Sequence, residues 1–106
     1  MARYLWQVSY TAEGVRGVLG EGGTGRRAAV EKLVAGVGGR LEAFDFAFGS
    51  DDVYVIADLP DNVTAAAIGL TVAAAGAASI RTVVLISPEE IDAAAKKTID
   101  YRAPGG

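Results

Sequence analysis

The amino-acid sequence predicts one α+β domain in which strands and helices follow the order β-α-β-β-α-β, with a further helix at the C-terminal end. Three observations lead to this prediction. The chain has 106 residues, close to the commonest size of a single domain. Four segments have the composition of strands, three of them alternating with period two and the fourth mostly apolar, and helix-start signals followed by apolar residues at helical spacing occupy the intervals between them. We therefore assign one domain to residues 1–106, with its core in residues 3–86 and a C-terminal helix and tail in residues 87–106.

The first strand and the first helical region lie in the amino-terminal part of the chain. Residues 3–11 place aromatic and β-branched side chains at every second position, which predicts a strand. Thr11 is a typical N-cap for a short helix that follows it. Four glycines within residues 20–25 predict a break, after which Thr24 caps a second helical run that ends at Gly38-Gly39.

A β-hairpin is predicted for the middle of the chain, because residues 41–48 and 53–59 both alternate and a polar turn separates them. A two-residue loop at Ser50-Asp51 would pair Phe48 with Val53, Phe46 with Val55 and Phe44 with Ala57. This register puts the three phenylalanines in the core against the helices. It puts Asp45 and Tyr54 on the opposite face of the sheet.

The remaining elements follow from clear start signals. Pro60-Asp61 opens a helix that runs to about Gly76, and residues 80–86 are an apolar strand with one charged residue. Ser87-Pro88-Glu89-Glu90 is a capping box with proline at the first helical position, and it opens a last helix to about Thr98. The complete order is the split βαβ, ferredoxin-like pattern, a four-stranded antiparallel sheet with two helices on one face.

The face of the sheet without helices is also apolar. In the first strand Leu5 points to the face away from Trp6. In the fourth strand Val83 and Leu85 alternate with other apolar residues, so both faces are apolar. A solvated face normally alternates to polar residues, and monomers rarely expose an apolar patch of this size. The sequence therefore predicts that a second copy stacks on it, sheet against sheet, in a closed, barrel-like dimer.

Composition excludes several classes of function. Ten Lys and Arg against 13 Asp and Glu give a net charge of −3 without a basic block, which argues against nucleic-acid binding. The absence of Cys and His excludes disulfides, thiol nucleophiles, Cys-ligated zinc and a histidine base. Residues 62–80 carry no charge but consist mostly of small residues, and the amino terminus does not resemble a signal peptide. We expect a cytoplasmic protein with no membrane or nucleic-acid partner, no metal and no cofactor.

Several segments of this chain, in order, match a known family. They are Tyr10-Thr11-Ala12-Glu13-Gly14, Gly22-Gly23, Arg27 to Leu33, Gly38-Gly39, Phe48-Gly49, Pro60-Asp61, Ser87 to Asp92 and Tyr101 to Gly105. In these segments the chain resembles the GYD-domain family, small and largely uncharacterised proteins placed among the dimeric α+β barrels. The resemblance implies the ferredoxin-like fold and a homodimer or higher homo-oligomer, but no reaction. The chain departs from the family at Asp51, which stands where the family's characteristic turn has a tyrosine.

A set of polar residues on the open face is the main candidate site. If the register holds, the set points to one side of the sheet, among apolar neighbours and beneath the second copy. Its members are Gln7, Ser9, Asp45, Tyr54 and Arg81. Such an arrangement is typical of a small-ligand pocket, in which Asp45 and Tyr54 are the candidate catalytic residues for moving a proton. The alternative is that these groups pair with each other across the interface and fix its register.

Two weaker motifs have mainly structural interpretations. Residues 20–25 satisfy G-x-G-x-x-G, but about ten residues separate them from the preceding strand, so a dinucleotide site is rejected. A flexible break is favoured over an anion site formed by Thr24, Arg26 and Arg27. Asp51, next to Asp52, is interpreted as ordinary turn chemistry.

Three functional hypotheses remain from the sequence, and the third, a nucleotide or anion sensor at the glycine-rich residues 20–25, ranks behind the other two. The first is a homo-oligomeric, non-catalytic module that binds a small molecule or serves as an assembly unit. The second is a cofactor-free isomerase or monooxygenase that acts on a small hydrophobic substrate in a pocket between the sheets.

Overall fold

The computed structural model describes residues 1–106, and its elements follow the predicted order. The elements are β1 (Ala2–Tyr10), α1 (Ala12–Gly36), β2 (Arg40–Phe46), β3 (Val53–Leu59), α2 (Asn62–Ala75), β4 (Ala78–Leu85) and α3 (Pro88–Ala95). This β-α-β-β-α-β-α order confirms the α+β, ferredoxin-like prediction. None of the helices has the length and apolar character needed to cross a membrane.

The four strands form one antiparallel sheet in the order β2-β3-β1-β4. Because β1 and β3 are central, their helix-facing residues are the most deeply buried. Tyr4 and Trp6 on β1 are 1% and 3% exposed, and they pack with Val34 of α1 and Ile68 of α2. The hydroxyl of Tyr4 also donates a hydrogen bond to the Asn62 side chain at the start of α2. The core therefore lies between the two helices and one face of the sheet.

The hairpin register differs from the prediction by two residues. Phe46 lies opposite Val53 and Phe44 opposite Val55, so residues 47–52 form the connection instead of a two-residue loop. The amide of Ala47 donates to the Asp52 carbonyl oxygen at 2.8 Å and closes this longer loop. An even shift leaves each side chain on its predicted face, because side chains alternate with period two.

The three phenylalanines do not all enter the core, as the sequence had suggested. Phe44 is half-buried and packs against the core, and Phe46 is 43% exposed with its ring edge-on to Phe44 at 5.5 Å. Phe48 is fully exposed, because the strand ends at Phe46 and Phe48 lies in the loop beyond it. The prediction that Phe48 is a core residue is therefore wrong.

The helix break predicted for residues 20–25 is confined to one residue of α1. Gly22, with φ +80° and ψ 167°, departs from helical geometry while the residues on both sides remain helical. Thr24 lies within the second half of the helix, so its prediction as the cap of that half is wrong. The predicted cap at Thr11 is confirmed, because its side chain accepts a hydrogen bond from the Gly14 amide at 3.2 Å.

Two glycines in the family-like segments allow close backbone contacts. A Cβ atom at Gly14 would lie 2.0 Å from the carbonyl oxygen of Ala77, which also accepts from the Thr11 amide at 3.0 Å. A Cβ atom at Gly39 would lie 2.4 Å from the carbonyl oxygen of Asp58. Any larger side chain would separate α1 from the α2–β4 connection at Gly14, or the start of β2 from β3 at Gly39.

The C-terminal helix begins as predicted but contains no buried residue. The Ser87 and Glu90 side chains form the reciprocal capping box at 3.1 and 3.0 Å. Every residue from 88 to 106 is exposed. We refer to residues 88–106 as the C-terminal arm.

Candidate functional site

The face of the sheet that carries no helix is the first candidate surface. Along β3 the side chains alternate strictly: Val53 and Val55 are buried on the helix side, whereas Tyr54 and Ile56 are half-buried on the opposite side. This alternation follows from the strand geometry, in which neighbouring side chains point to opposite faces. We call the side without helices the open face.

Four of the predicted site residues lie in one line across the open face. Gln7 on β1 lies opposite Tyr54 on β3 and Arg81 on β4, and Tyr54 lies opposite Asp45 on β2. Asp45, Tyr54, Gln7 and Arg81 thus form what we call the polar row. The register brings together residues that are up to 74 positions apart (81 − 7) in the sequence.

An apolar row runs beside the polar row. Its members, in the order of the strands, are Ala43, Ile56, Leu5 and Val83. Val83 is 39% exposed in the single chain, and the other three are half-buried. The open face therefore presents a line of polar groups next to a line of apolar groups.

Asp51 has a role that its position in a turn did not predict. Its side chain is 5% exposed, forms an ion pair with Arg81 and accepts a hydrogen bond from the Ser9 hydroxyl at 3.0 Å. Buried carboxylates require partners of this kind, since an unpaired buried charge is costly. The interpretation of Asp51 as ordinary turn chemistry is therefore incomplete, and Ser9, Asp51 and Arg81 form a cluster around a buried carboxylate at the end of the polar row.

The neighbouring Asp52 explains why the loop adopts this position. Its carboxylate accepts from the Tyr10 amide at 2.8 Å, and its own amide donates to the Val8 carbonyl oxygen at 2.8 Å. The loop thus continues the hydrogen bonding at the end of β1 and carries Asp51 towards Ser9 and Arg81. The only sequence signal for this arrangement was the pair of adjacent aspartates.

The polar row by itself does not form a catalytic centre. Asp45 is exposed on the edge strand β2, and the structure records no hydrogen bond between its carboxylate and the Tyr54 hydroxyl. General acid–base catalysis needs a substrate proton within hydrogen-bond reach of such a group. In one chain the row is an open surface, and it encloses a volume only when another surface covers it. No group of three or more carboxylates that could hold a metal ion occurs in the structure.

The predicted anion-binding residues do not converge on one place. The Arg26 guanidinium lies 3.6 Å from the Glu21 carboxylate, and that of Arg27 lies 3.8 Å from Glu31. Arg27 and Thr24 line a shallow groove that also contains Asp45, whereas Arg26 lies on the side of α1 near Tyr10. Each arginine therefore already faces a carboxylate, which weakens its attraction for an anion.

Comparison with known proteins gives one match. The family model described as GYD domain matches residues 4–95, which run from β1 to the end of α3. No curated protein and no solved structure matches the chain at a significant level.

Proposed function

This chain belongs to the GYD-domain family, and from that premise we propose that it is a homo-oligomeric, non-catalytic module that binds a small ligand or serves as an assembly unit. In the proposed assembly two copies stack by their open faces as a dimeric α+β barrel. The chain's own partner is therefore a second copy of itself. We place the protein in the cytoplasm, where a chain without disulfides is at no disadvantage.

The observation that carries the proposal is the polar row beside the apolar row on a face without helices. Leu5 and Ile56 are central in the apolar row, and a facing sheet would remove them from water at about 25 cal/mol per Å² of apolar area. The polar row would then be enclosed, with Gln7 and Tyr54 in the middle and the Asp51–Arg81 pair at one end. Polar groups in an otherwise apolar enclosure favour a small molecule with few polar atoms.

The oligomeric state tests this proposal. We expect light scattering at micromolar concentration to give at least twice 10.9 kDa for the wild type. Ile56→Lys places a charge in the apolar row, so the variant should give a 10.9 kDa particle that remains folded.

The matched control is Val63→Lys, which introduces the same charge on α2, where Val63 is 78% exposed. It should leave the wild-type mass unchanged. A stably folded wild-type monomer of 10.9 kDa would overturn the proposal. Native mass spectrometry of the freshly purified protein decides between the two roles: retained mass indicates ligand binding, and its absence indicates an assembly unit.

The register of Asp45 opposite Tyr54 favours a second candidate function. This is a cofactor-free isomerase or monooxygenase that acts on a small hydrophobic substrate between the sheets, with Asp45 as the base and Tyr54 as a proton donor. Its test requires a molecule recovered by native mass spectrometry. Conversion of that molecule by the wild type but not by Asp45→Asn or Tyr54→Phe would support catalysis. Equal conversion by all three proteins would exclude a catalytic role for Asp45 and Tyr54.

A further inference from the structure

A cleft lies between the first half of α1, the end of α2 and the start of β4. Its volume is about 390 Å³, and Val18 of α1 and Val72 of α2 contribute to its apolar wall. Three charged residues also line it, namely Glu13, Glu21 and Arg26. We call this space the α1–α2 cleft, and its mixture of apolar and charged groups gives it a chemistry that an apolar cavity lacks.

The side of the cleft formed by α1 has a carboxylate at each end and a glycine between them. Glu13, Gly17 and Glu21 all line the cleft at intervals of four residues, so they lie along one face of the helix. A Cβ atom at Gly17 would have no atom within 4 Å. The two glutamates are therefore separated by about 12 Å of helix axis, over a surface that carries no side chain at its middle.

The Glu13 end of the cleft is electronegative. Glu13 takes part in none of the ion pairs of the structure. The end of α2 reaches the same place, because Ala75 lines the cleft and the Ala77 carbonyl oxygen packs against Gly14. The last turn of α2 contains no basic residue, so no side-chain charge offsets the partial negative charge of that helix end. A cation bound here would interact favourably with both the carboxylate and the helix end.

The Glu21 end of the cleft also retains room for a cation. The Glu21 carboxylate lies 3.6 Å from the Arg26 guanidinium, and both side chains are more than one-third exposed. An exposed pair at this distance is weak, and its carboxylate can accept further hydrogen bonds. Burial raises the pKa of the nearby Tyr10 hydroxyl, so that group is uncharged at neutral pH. The side chains of the cleft therefore bring two carboxylates and only one guanidinium.

This arrangement selects one class of small molecule. An anion would be repelled by the two carboxylates and by the end of α2, and a molecule with a single positive charge would pair with only one carboxylate. A five-carbon chain between two ammonium groups, with an N–H···O distance of about 2.8 Å at each end, spans the separation of Glu13 and Glu21. Its methylene groups would lie over Gly17 and contact Val18 and Val72.

We propose that the α1–α2 cleft binds a linear aliphatic diamine, with one ammonium at Glu13, the other at Glu21 and the methylene chain over Gly17. One chain forms the whole site. The lining residue Tyr10 lies on the helix side of the sheet, where it packs against the core, so the site is separate from the polar row. Binding is therefore independent of the proposed pairing of open faces, and the monomeric Ile56→Lys variant should bind as the wild type does.

The test compares 1,5-diaminopentane with 1-aminopentane, which keeps the chain but only one ammonium group. Both amines are fully protonated at about pH 7. Titrations at constant ionic strength follow the Gly17 amide resonance of the ¹⁵N-labelled protein. We expect the diamine to shift this resonance and to bind about two- to fivefold more tightly, the gain from one further exposed ion pair. Equal affinities, or no shift of the Gly17 resonance, would overturn the proposal.

Glu13→Gln removes one of the two carboxylates and should abolish the preference for the diamine. An acid in the first turn also stabilises a helix, so the informative measurement is the ratio of the two affinities, which a purely structural role would not change. Glu89→Gln is the matched control, the same change in the first turn of α3, and should keep the wild-type ratio. An unchanged ratio in Glu13→Gln would contradict the proposal. An equal loss in Glu89→Gln would mean general attraction to a chain of net charge −3, and it would also overturn the proposal.

Two glycine variants locate the bound chain. Gly17→Leu fills the middle of the cleft and should abolish binding, whereas Gly20→Leu, outside the cleft on the same helix, should leave the affinity unchanged. Neither position has an atom within 4 Å of an added Cβ, and leucine is the better helix former, so both variants should fold. Wild-type affinity in Gly17→Leu would place the diamine elsewhere and overturn the proposal.

Discussion

At the scale of single residues, Asp51 and Arg81 connect the loop before β3 to the outer strand β4. The Arg81 side chain is 65% exposed, whereas the Asp51 side chain is 5% exposed. In the single chain the two partners are therefore unequal: losing the arginine leaves a carboxylate buried, but losing the carboxylate leaves an arginine that water can solvate. Stability should depend more on the arginine than on the acid.

Arg81→Ala is expected to destabilise the fold by about 1–3 kcal/mol, because Asp51 keeps only Ser9 as a side-chain partner. Urea unfolding at a fixed protein concentration measures this change. Arg27→Ala, which breaks an exposed pair with Glu31, is the control and should change stability by less than about 1 kcal/mol. Adding Asp51→Asn to Arg81→Ala should recover part of the loss, and equal effects of the two arginine variants would contradict the role of the buried pair.

At the scale of elements, the helix starts are the most local features of this fold. Thr11, Asp61 and Ser87 cap the three helices, and each cap is visible in the sequence as a polar residue before a helical run. Asp61 is the only carboxylate of the three. Its oxygen Oδ1 accepts from the Thr64 amide and from the Thr64 hydroxyl, each at 2.8 Å.

These two hydrogen bonds lower the pKa of Asp61 below its ordinary value of 3.8. A pKa that is lower in the folded state contributes stability above the unfolded pKa, and this contribution disappears as the pH falls through the folded pKa. Asp61→Asn removes the titration but keeps a capping side chain. We expect the wild type to have the higher melting temperature at about pH 6 and to lose that advantage below about pH 4. A difference in melting temperature that does not change with pH would contradict this assignment.

The sequence predicted the elements better than the contacts between them. Period-two alternation and caps are local, so the order of elements and the strand β3 followed directly from residues 53–59. The two-residue error in the hairpin arose because the length of its loop depends on Asp51 and Asp52, whose partners Ser9 and Tyr10 lie on another strand. No local pattern reports such a distant partner.

The same limit applies to the candidate sites. The even shift of the hairpin preserved the faces, so the polar row could be predicted even though its exact partners could not. The apolar cavity between α1, α2 and the sheet, which Trp6 and Val55 help to line, had no signal in the sequence, because it results from the space that the helices leave above the sheet. Alternation assigned Trp6 to a strand and could not indicate that its buried indole N–H has no hydrogen-bond partner.

At the scale of the whole molecule, the C-terminal arm gives the protein an extended outline. The radius of gyration is 17.0 Å, against roughly 13 Å expected for a globular chain of this length. The principal extents are 57 × 33 × 24 Å. Ile91 and Ile99 of the arm are 52% and 76% exposed, so the arm contributes little burial to the fold.

Removal of residues 88–106 should change the free energy of unfolding by less than about 0.5 kcal/mol, because all of them are exposed. Calorimetry of the shortened chain measures this, and light scattering shows whether the open-face pairing is retained. We expect the melting temperature and the number of chains per particle to be unchanged. Dissociation of the shortened protein would instead mean that the arm, rather than the open face, holds the copies together.

The outline also affects how the mass of this protein must be measured. A projecting arm increases hydrodynamic drag without adding proportionate mass, so we expect a single chain to elute from a gel-filtration column ahead of spherical standards of 10.9 kDa. Calibration by elution volume would then overestimate the mass and could report a single chain as a dimer. Only a method that does not depend on shape can count the copies correctly.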